Sequence, residues 1–231
     1  MRATIWSYSL RMIKPFFETS TGRKLDAGIK VLVNAHVEMH HIYGLSLNII
    51  NIDPGFTVGE IELRKQKVIQ QLTEEGVMNL NKEIIMPAVL QKIAVISSET
   101  AAGYGDYMHQ INQNAGGYKF YHHLFTATMQ GETAGKSIIK ALEKIFQYED
   151  FFDVVIIIRG GGSKSDLDCF NQYELAANIA QYPLPVITGI GHERDETITD
   201  MVANTKMKTP TAVAEFIINQ AETFDARIDH Y

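Results

Sequence analysis

The sequence predicts an α/β fold: a doubly wound parallel sheet of four strands, or slightly more, preceded by a small β-rich domain. Three observations predict it. Residues 93–220 alternate short apolar runs with helical patterns, the rhythm of strand–helix–strand crossovers. One run, Val154 to Ile158, holds five consecutive β-branched apolar residues, which suits a strand covered on both faces. Residues 1–55 lack that rhythm and carry short stretches of branched and aromatic residues instead.

In chain order, ATIWSY (3–8), IKVLVNAHVEMHH (29–41) and LSLNIINI (45–52) read as strands, with a short helical piece around Leu10–Phe17. HIYG at 41–44 supplies a hairpin turn ending in glycine. Three strands are too few to close a small barrel, so further strands or another element must cover the edge. Thr57 to Glu75 reads as a helix. Thr57 and Glu60 have capping-box spacing, Ile61, Val68, Ile69 and Leu72 form its apolar stripe, and Gly76 follows its end. Its charges are a solvated face, which makes 56–92 a helical connector. IAVIS (93–97) then leads into a helix from about Thr100 to Asn112, and YHHLFTATM (121–129) into one from about Glu132 to Gln147. DVVIII (153–158) precedes a helix from about Asp166 to Gln181 that carries Leu167, Phe170 and Leu175. LPVITGI (184–190) is the fourth strand, Thr211 opens a further helix, and 221–231 reads as the start of a C-terminal helix.

Composition narrows the function classes. The 231 residues are 45% hydrophobic and 21% charged, ordinary for a globular protein with a sizeable core. The one cysteine, Cys169, cannot form an intramolecular disulfide, and nothing in the first twenty residues has the layout of a signal peptide. No apolar run approaches a membrane span, so a cytoplasmic protein is expected. The formal net charge of −6 argues against a broad nucleic-acid-binding face but leaves room for a local cationic cleft.

Ligands of such a sheet bind beyond the carboxyl ends of the strands. Three of those ends are polar, small or glycine-rich: SSETAAGYGD (97–106), RGGGSKSD (159–166) and GIGHERDETITD (189–200). In the second, Gly160, Gly161 and Gly162 bring backbone N–H groups close to a ligand, and Ser163 and Asp166 can open the next helix. A strand, a glycine loop and a helix start together trap an anion, and Arg159 adds a permanent positive charge. A plain βα turn with glycines for packing is the alternative. In the third, His192 exchanges protons near neutral pH, and Asp195 can orient its imidazole, with Glu193 and Arg194 beside them. An isolated GHE would be a capping histidine; next to an anion loop it points to acid–base work on a phosphate ester. Asp106 is a further candidate carboxylate, and Asp200 caps or braces its loop. Asp106, Asp166, Asp195 and Asp200 could also offer oxygen ligands to Mg²⁺. No compact DxD pair is present, however, and Arg159 would repel a cation, so a mechanism without a metal cofactor is expected.

Together the three segments resemble the large subunit of exodeoxyribonuclease VII, a bacterial exonuclease specific for single strands. The family pattern V-I-(T/S)-S-x-T-x-A-x-x-x-D is met from Val95 to Asp106, and R-G-G-G-S-x-x-D-L-x-x-F-N from Arg159 to Asn171. G-H-E-x-D-x-T-I-x-D is met from Gly191 to Asp200, and T-P-(T/S)-A-x-A-E from Thr209 to Glu215. The resemblance spans about residues 85–220. It implies hydrolysis of phosphodiester bonds in single-stranded DNA to oligonucleotides, with Asp106, Arg159, His192 and Asp195 catalytic. Gly160, Gly161, Gly162 and Ser163 would bind phosphate, supported by Ser97, Thr100, Asn171, Glu193 and Asp200. It also implies an N-terminal OB-fold gripping single-stranded DNA, of which 1–55 resembles the later part, and a 93–220 catalytic domain. A C-terminal coiled coil and several copies of a small partner subunit are implied as well. Earlier OB strands and the coiled coil would lie outside this sequence, so a chain shortened at both ends is expected. Glu99, Gly105, Asn204, Lys206 and Lys208 depart from the family pattern without touching the four catalytic positions. Two other functions fit parts of the sequence: a phosphate- or nucleotide-binding α/β domain without hydrolysis, and a single-stranded DNA-binding module.

Overall fold

The computed structural model describes residues 2–41, 44–162, 164–191 and 196–228. The chain divides into two compact units, one made of its first 67 residues with 163–165 and the other of the remainder from Val68 onward.

The smaller unit contains β1 (Arg2–Thr4), α1 (Ser7–Thr21), β2 (Leu32–His40) and β3 (Gly44–Asp53). Its sheet has the order β1-β3-β2, with β2 and β3 antiparallel and β1 parallel to β3. The strand expected over residues 3–8 is therefore short, and Ser7 already begins a helix. That helix outgrows the expected Leu10–Phe17 piece despite Pro15 inside it. Ile13 and Phe17, one turn apart, bury themselves with Ile52 of the sheet, and this packing offsets the donor that Pro15 lacks. A long helix, α2 (Pro54–Glu74), follows β3.

The larger unit continues with α3 (Leu80–Glu83), β4 (Lys92–Ser97), α4 (Ala102–Asn112), β5 (Tyr121–Thr126), α5 (Ala134–Phe146) and β6 (Val154–Ile158). A 3₁₀ segment (Lys164–Asn171), α6 (Tyr173–Ala180), β7 (Val186–Gly189), α7 (Ile198–Val202), β8 (Thr205–Lys206) and α8 (Pro210–Ile228) complete it. The order β5-β4-β6-β7-β8 is parallel throughout, as expected for a doubly wound sheet, with β8 as a fifth strand. Alternate residues feed two cores. Ala94, Ile96, Val155 and Ile157 pack with Ile138 and Leu142 of α5 and with Leu175 and Ile179 of α6. Ile93, Val95, Ile156 and Ile158 pack with Tyr107 and Ile111 of α4 and with Val213 and Ile217 of α8. All five residues of β6 are fully buried, each stabilised by about 1.5–3 kcal/mol relative to exposure.

Two expectations are corrected. The strand expected over 121–129 ends at Thr126, and the single helix expected over 166–181 is a 3₁₀ segment followed by α6. The break falls at Gln172, whose extended backbone (φ −77°, ψ 135°) separates the 3₁₀ segment from α6. Just before it, Asn171 Oδ1 accepts the Ile198 N–H at 2.9 Å. Among the described residues, no helix is long and apolar enough to cross a membrane.

Beneath β7 sits a polar clamp that the sequence did not announce. Asn81, fully buried, donates from Nδ2 to the carbonyls of Tyr182 (3.0 Å) and Leu184 (2.9 Å). Its Oδ1 accepts the N–H groups of Val186 and Asn204, each at 3.0 Å. One side chain thus fixes the entry to β7 and the segment joining α7 to β8.

Candidate active site

The chain leaves β4 toward β5 on one side and later returns to place β6 on the other, so the topological switch point lies between β4 and β6. At that point the strand ends are bound to each other. Ser97, fully buried, donates its hydroxyl to the Ile158 carbonyl at 2.9 Å, and the Arg159 N–H donates to the Gly189 carbonyl at 3.2 Å. Glycines allow the layers to close over them. A Cβ on Gly103 would lie 2.8 Å from the N and Cα of Gly160 and 2.9 Å from Cγ of Pro210. A Cβ on Gly189 would lie 2.7 Å from Cγ2 of Val213. The starts of α4 and α8 are thereby seated against the ends of β6 and β7.

A cleft of about 640 Å³ opens above the switch point. Ser98, Glu99 and Thr100 line it from the loop after β4, and Arg159, Gly160 and Gly161 from the loop after β6. The end of β5 supplies Thr126, the loop after it Thr128 and Gln130, and α5 adds Ser137. Hydroxyl residues, two glycines and Arg159 suit an anionic, hydroxyl-bearing ligand such as a sugar phosphate, and Glu99 adds a carboxylate at one side. Ser137 also steadies its own wall, because its Oγ accepts the Thr128 N–H at 3.0 Å.

Arg159 is only 7% exposed. Its Nη2 lies 3.3 Å from Oδ2 of Asp166, and its guanidinium passes so close over Gly162 that a Cβ there would overlap it. The three glycines therefore have three different surroundings. Gly160 is pressed against the backbone of Gly103, Gly161 has open space around it, and Gly162 makes room for Arg159. None of them has a positive φ, so close approach and not turn geometry is what demands glycine at 160 and 162. Nearby, the Cys169 thiol donates to the Asp166 carbonyl at 3.2 Å. Burial pushes its pKa up to about 11, with the Arg159 charge opposing more weakly, so the thiol stays protonated at neutral pH and is no nucleophile.

A family model described as exonuclease VII, large subunit, matches residues 77–231. The chain belongs to the exonuclease VII large-subunit family. It is similar to proteins named exodeoxyribonuclease 7 large subunit from several bacteria. The one from Deinococcus radiodurans is 37% identical over 221 residues, covering 94% of this chain and 53% of the relative. For Thermotoga petrophila the figures are 33% over 214 residues, 91% and 52%. For a Nostoc species they are 39% over 162 residues, 70% and 38%. The chain spans about half the length of the curated relatives it matches, or less.

The family's motif residues fall into distinct places. Arg159, Gly160, Gly161 and Thr100 line the cleft, whereas Ser97 lies beneath it as a buried tie between β4 and β6. Asp106 is exposed on α4 and does not line the cleft. Asn171 anchors the start of α7, and Asp200 closes a capping box there. Asp200 is 8% exposed and accepts the Thr188 hydroxyl at 2.6 Å, the Thr197 hydroxyl at 2.7 Å and the Thr197 N–H at 3.0 Å. It is thus a brace for the segment that follows β7. His192, Glu193, Arg194, Asp195 and Ser163 lie outside the described residues. Of the possible Mg²⁺ ligands, Asp166 faces Arg159 and Asp200 is occupied by three donors. Among the described residues, no group of three or more His, Cys, Asp or Glu side chains could hold a metal ion.

Sequence reasoning missed the wall formed by Thr126, Thr128, Gln130 and Ser137, because YHHLFTATM read as one strand. The signal was present in TATMQGETAG, where small and hydroxyl residues and a glycine precede a helix.

Proposed function

We propose that this chain carries the catalytic α/β domain of a nuclease that hydrolyses phosphodiester bonds in single-stranded DNA, releasing oligonucleotides. The observation that carries the reading is the cleft at the β4/β6 switch point, walled by two motifs of the family and lined by Arg159. Relatives over most of this chain are named exodeoxyribonuclease 7 large subunit, which supports an exonuclease acting on DNA with a small subunit as partner.

In the proposed reaction a water oxygen attacks phosphorus and the ester P–O bond breaks. One proton leaves the water and one reaches the departing oxygen. Arg159 and the N–H groups of Gly160 to Ser163 stabilise the charge gathered on the phosphoryl oxygens. His192 takes the water proton or supplies the leaving oxygen with one, a contribution of roughly 10²–10⁴-fold. Asp195 holds the imidazole tautomer. Asp106, exposed on α4 and outside the cleft lining, is given the task of positioning the water or the histidine by the family resemblance alone. No metal cofactor is required in this scheme. The three-stranded sheet of residues 2–53 would be the later part of an OB-like clamp for single strands, weak on its own and sensitive to salt. The assembly would work in the cytoplasm.

The test is shortening of an end-labelled single-stranded oligonucleotide by the large subunit assembled with its small subunit, in excess chelator and with His192→Ala. Cleavage that survives chelator and falls at least about 100-fold in His192→Ala is expected. Loss in chelator with His192→Ala at full rate would assign the carboxylates to a metal instead. Binding of single strands or mononucleotides without any shortening would favour a binding domain.

A further inference from the structure

We propose that Asp166 and Gly162 form a seat that fixes the Arg159 guanidinium, making Asp166 a positioning residue for phosphodiester cleavage. The proposal rests on the functional reading above. Arg159 is a long cation with about 2 kcal/mol of rotamer entropy, yet only 7% of it reaches solvent. A buried guanidinium is tolerable when a carboxylate faces it, and Asp166 Oδ2 stands 3.3 Å from Nη2. Gly162 completes the seat by omission, since a Cβ at that position would overlap the same guanidinium and lie 2.9 Å from Asp166 Oδ2.

The local chain holds Asp166 in turn. Its carbonyl accepts the Cys169 thiol at 3.2 Å, and Phe170, fully buried in the core, anchors the 3₁₀ segment one turn on. Asp166 is thus coupled to the core and Arg159 to Asp166. A guanidinium has five N–H donors, Nη2 faces the Asp166 carboxylate, and Arg159 is among the residues that line the cleft. The seat decides which donors point at a phosphate. Without it the charge remains but its direction is lost, and a displacement of about 1 Å can cost on the order of 100-fold in rate.

The test compares the assembled enzyme with its Asp166→Asn, Gly162→Ala, Arg159→Lys and Asp166→Asn/Arg159→Lys forms on single-stranded oligonucleotide, reading kcat and KM separately. Thermal unfolding checks that each variant is folded. Asp166→Asn should lower kcat about 10–100-fold without raising KM, because removing a negative charge near the cleft does not weaken binding of an anion. Gly162→Ala should lower kcat similarly while the protein remains folded, with a fall in unfolding temperature as the added methyl displaces the buried guanidinium. In the Arg159→Lys background Asp166→Asn should cost little further. Full rate in Asp166→Asn, a rise in its kcat/KM, or a fully multiplicative loss in the double variant would overturn the seat. If Arg159→Lys itself cleaves at full rate, the fault lies with the role given to Arg159 in the reaction; if it is slow while Asp166→Asn is not, the reaction stands and the seat falls.

Discussion

Gly103→Ala should damage the protein where Gly105→Ala, two residues along the same helix, should improve it. Neither glycine has a positive φ, so both substitutions gain the helical preference of alanine, about 0.5–1 kcal/mol. At Gly105 the new methyl meets nothing within 4 Å. At Gly103 it would lie 2.8 Å from the N and Cα of Gly160, where ordinary contact begins at 3.4 Å, so backbone must separate by about 0.6 Å. The neighbours are the backbone of Gly160 and the ring of Pro210, which cannot swing away as a long side chain would. Overpacking of this kind costs about 1–3 kcal/mol. The two variants should therefore differ by that amount in urea-induced unfolding followed by circular dichroism, with Gly105→Ala the more stable. Since the displaced backbone is a wall of the cleft, Gly103→Ala should also lose about tenfold in cleavage rate. A Gly103→Ala protein as stable as Gly105→Ala would refute the close approach of α4 to the glycine loop, and with it the placement of two motifs on one cleft.

Asn81→Asp removes two donors that serve the Tyr182 and Leu184 carbonyls and puts a charge beside them, so it should lower stability by about 3 kcal/mol or more in the same unfolding experiment. Asp200→Ala strands the Thr188 hydroxyl and the Thr197 N–H; a loss of about 2–4 kcal/mol is expected by thermal unfolding, together with slower cleavage because the segment after β7 loses its brace. Cys169, whose folded pKa is raised to about 11 by burial, contributes stability that is complete below the ordinary thiol pKa of about 8.5 and is lost as pH rises toward 11. Denaturation at pH 8 and pH 10.5 should show that fall, a smaller one in Cys169→Ala, and iodoacetamide should label the native thiol far more slowly than the unfolded one.

The sequence by itself pointed to the parallel sheet, because strands alternate with helices over 93–220 and five branched residues in a row at 154–158 suit a strand covered on both faces. It also determined which segments gather at one edge, since parallel strands deliver every βα loop to the same side. Local patterns read less well where a tertiary contact outweighs them. Residues 3–8 read as a strand, which limits the expected helix to Leu10–Phe17, whereas it runs from Ser7 to Thr21 and burial of Ile13 and Phe17 carries it through Pro15. The single helix expected over 166–181 is interrupted at Gln172, whose backbone is extended, beside Asn171 whose side chain is bound to the Ile198 N–H 27 residues away. Only the tertiary structure separated the jobs of the three glycines, because each is defined by what lies opposite: the Gly103 backbone, open space, or a guanidinium. The same holds for Ser97 and Asn81, polar residues whose partners are 61 and 101 to 123 positions distant. A one-dimensional pattern records a residue's own periodicity, and the direction of a hydrogen bond across the sheet exists only once the strands have been ordered.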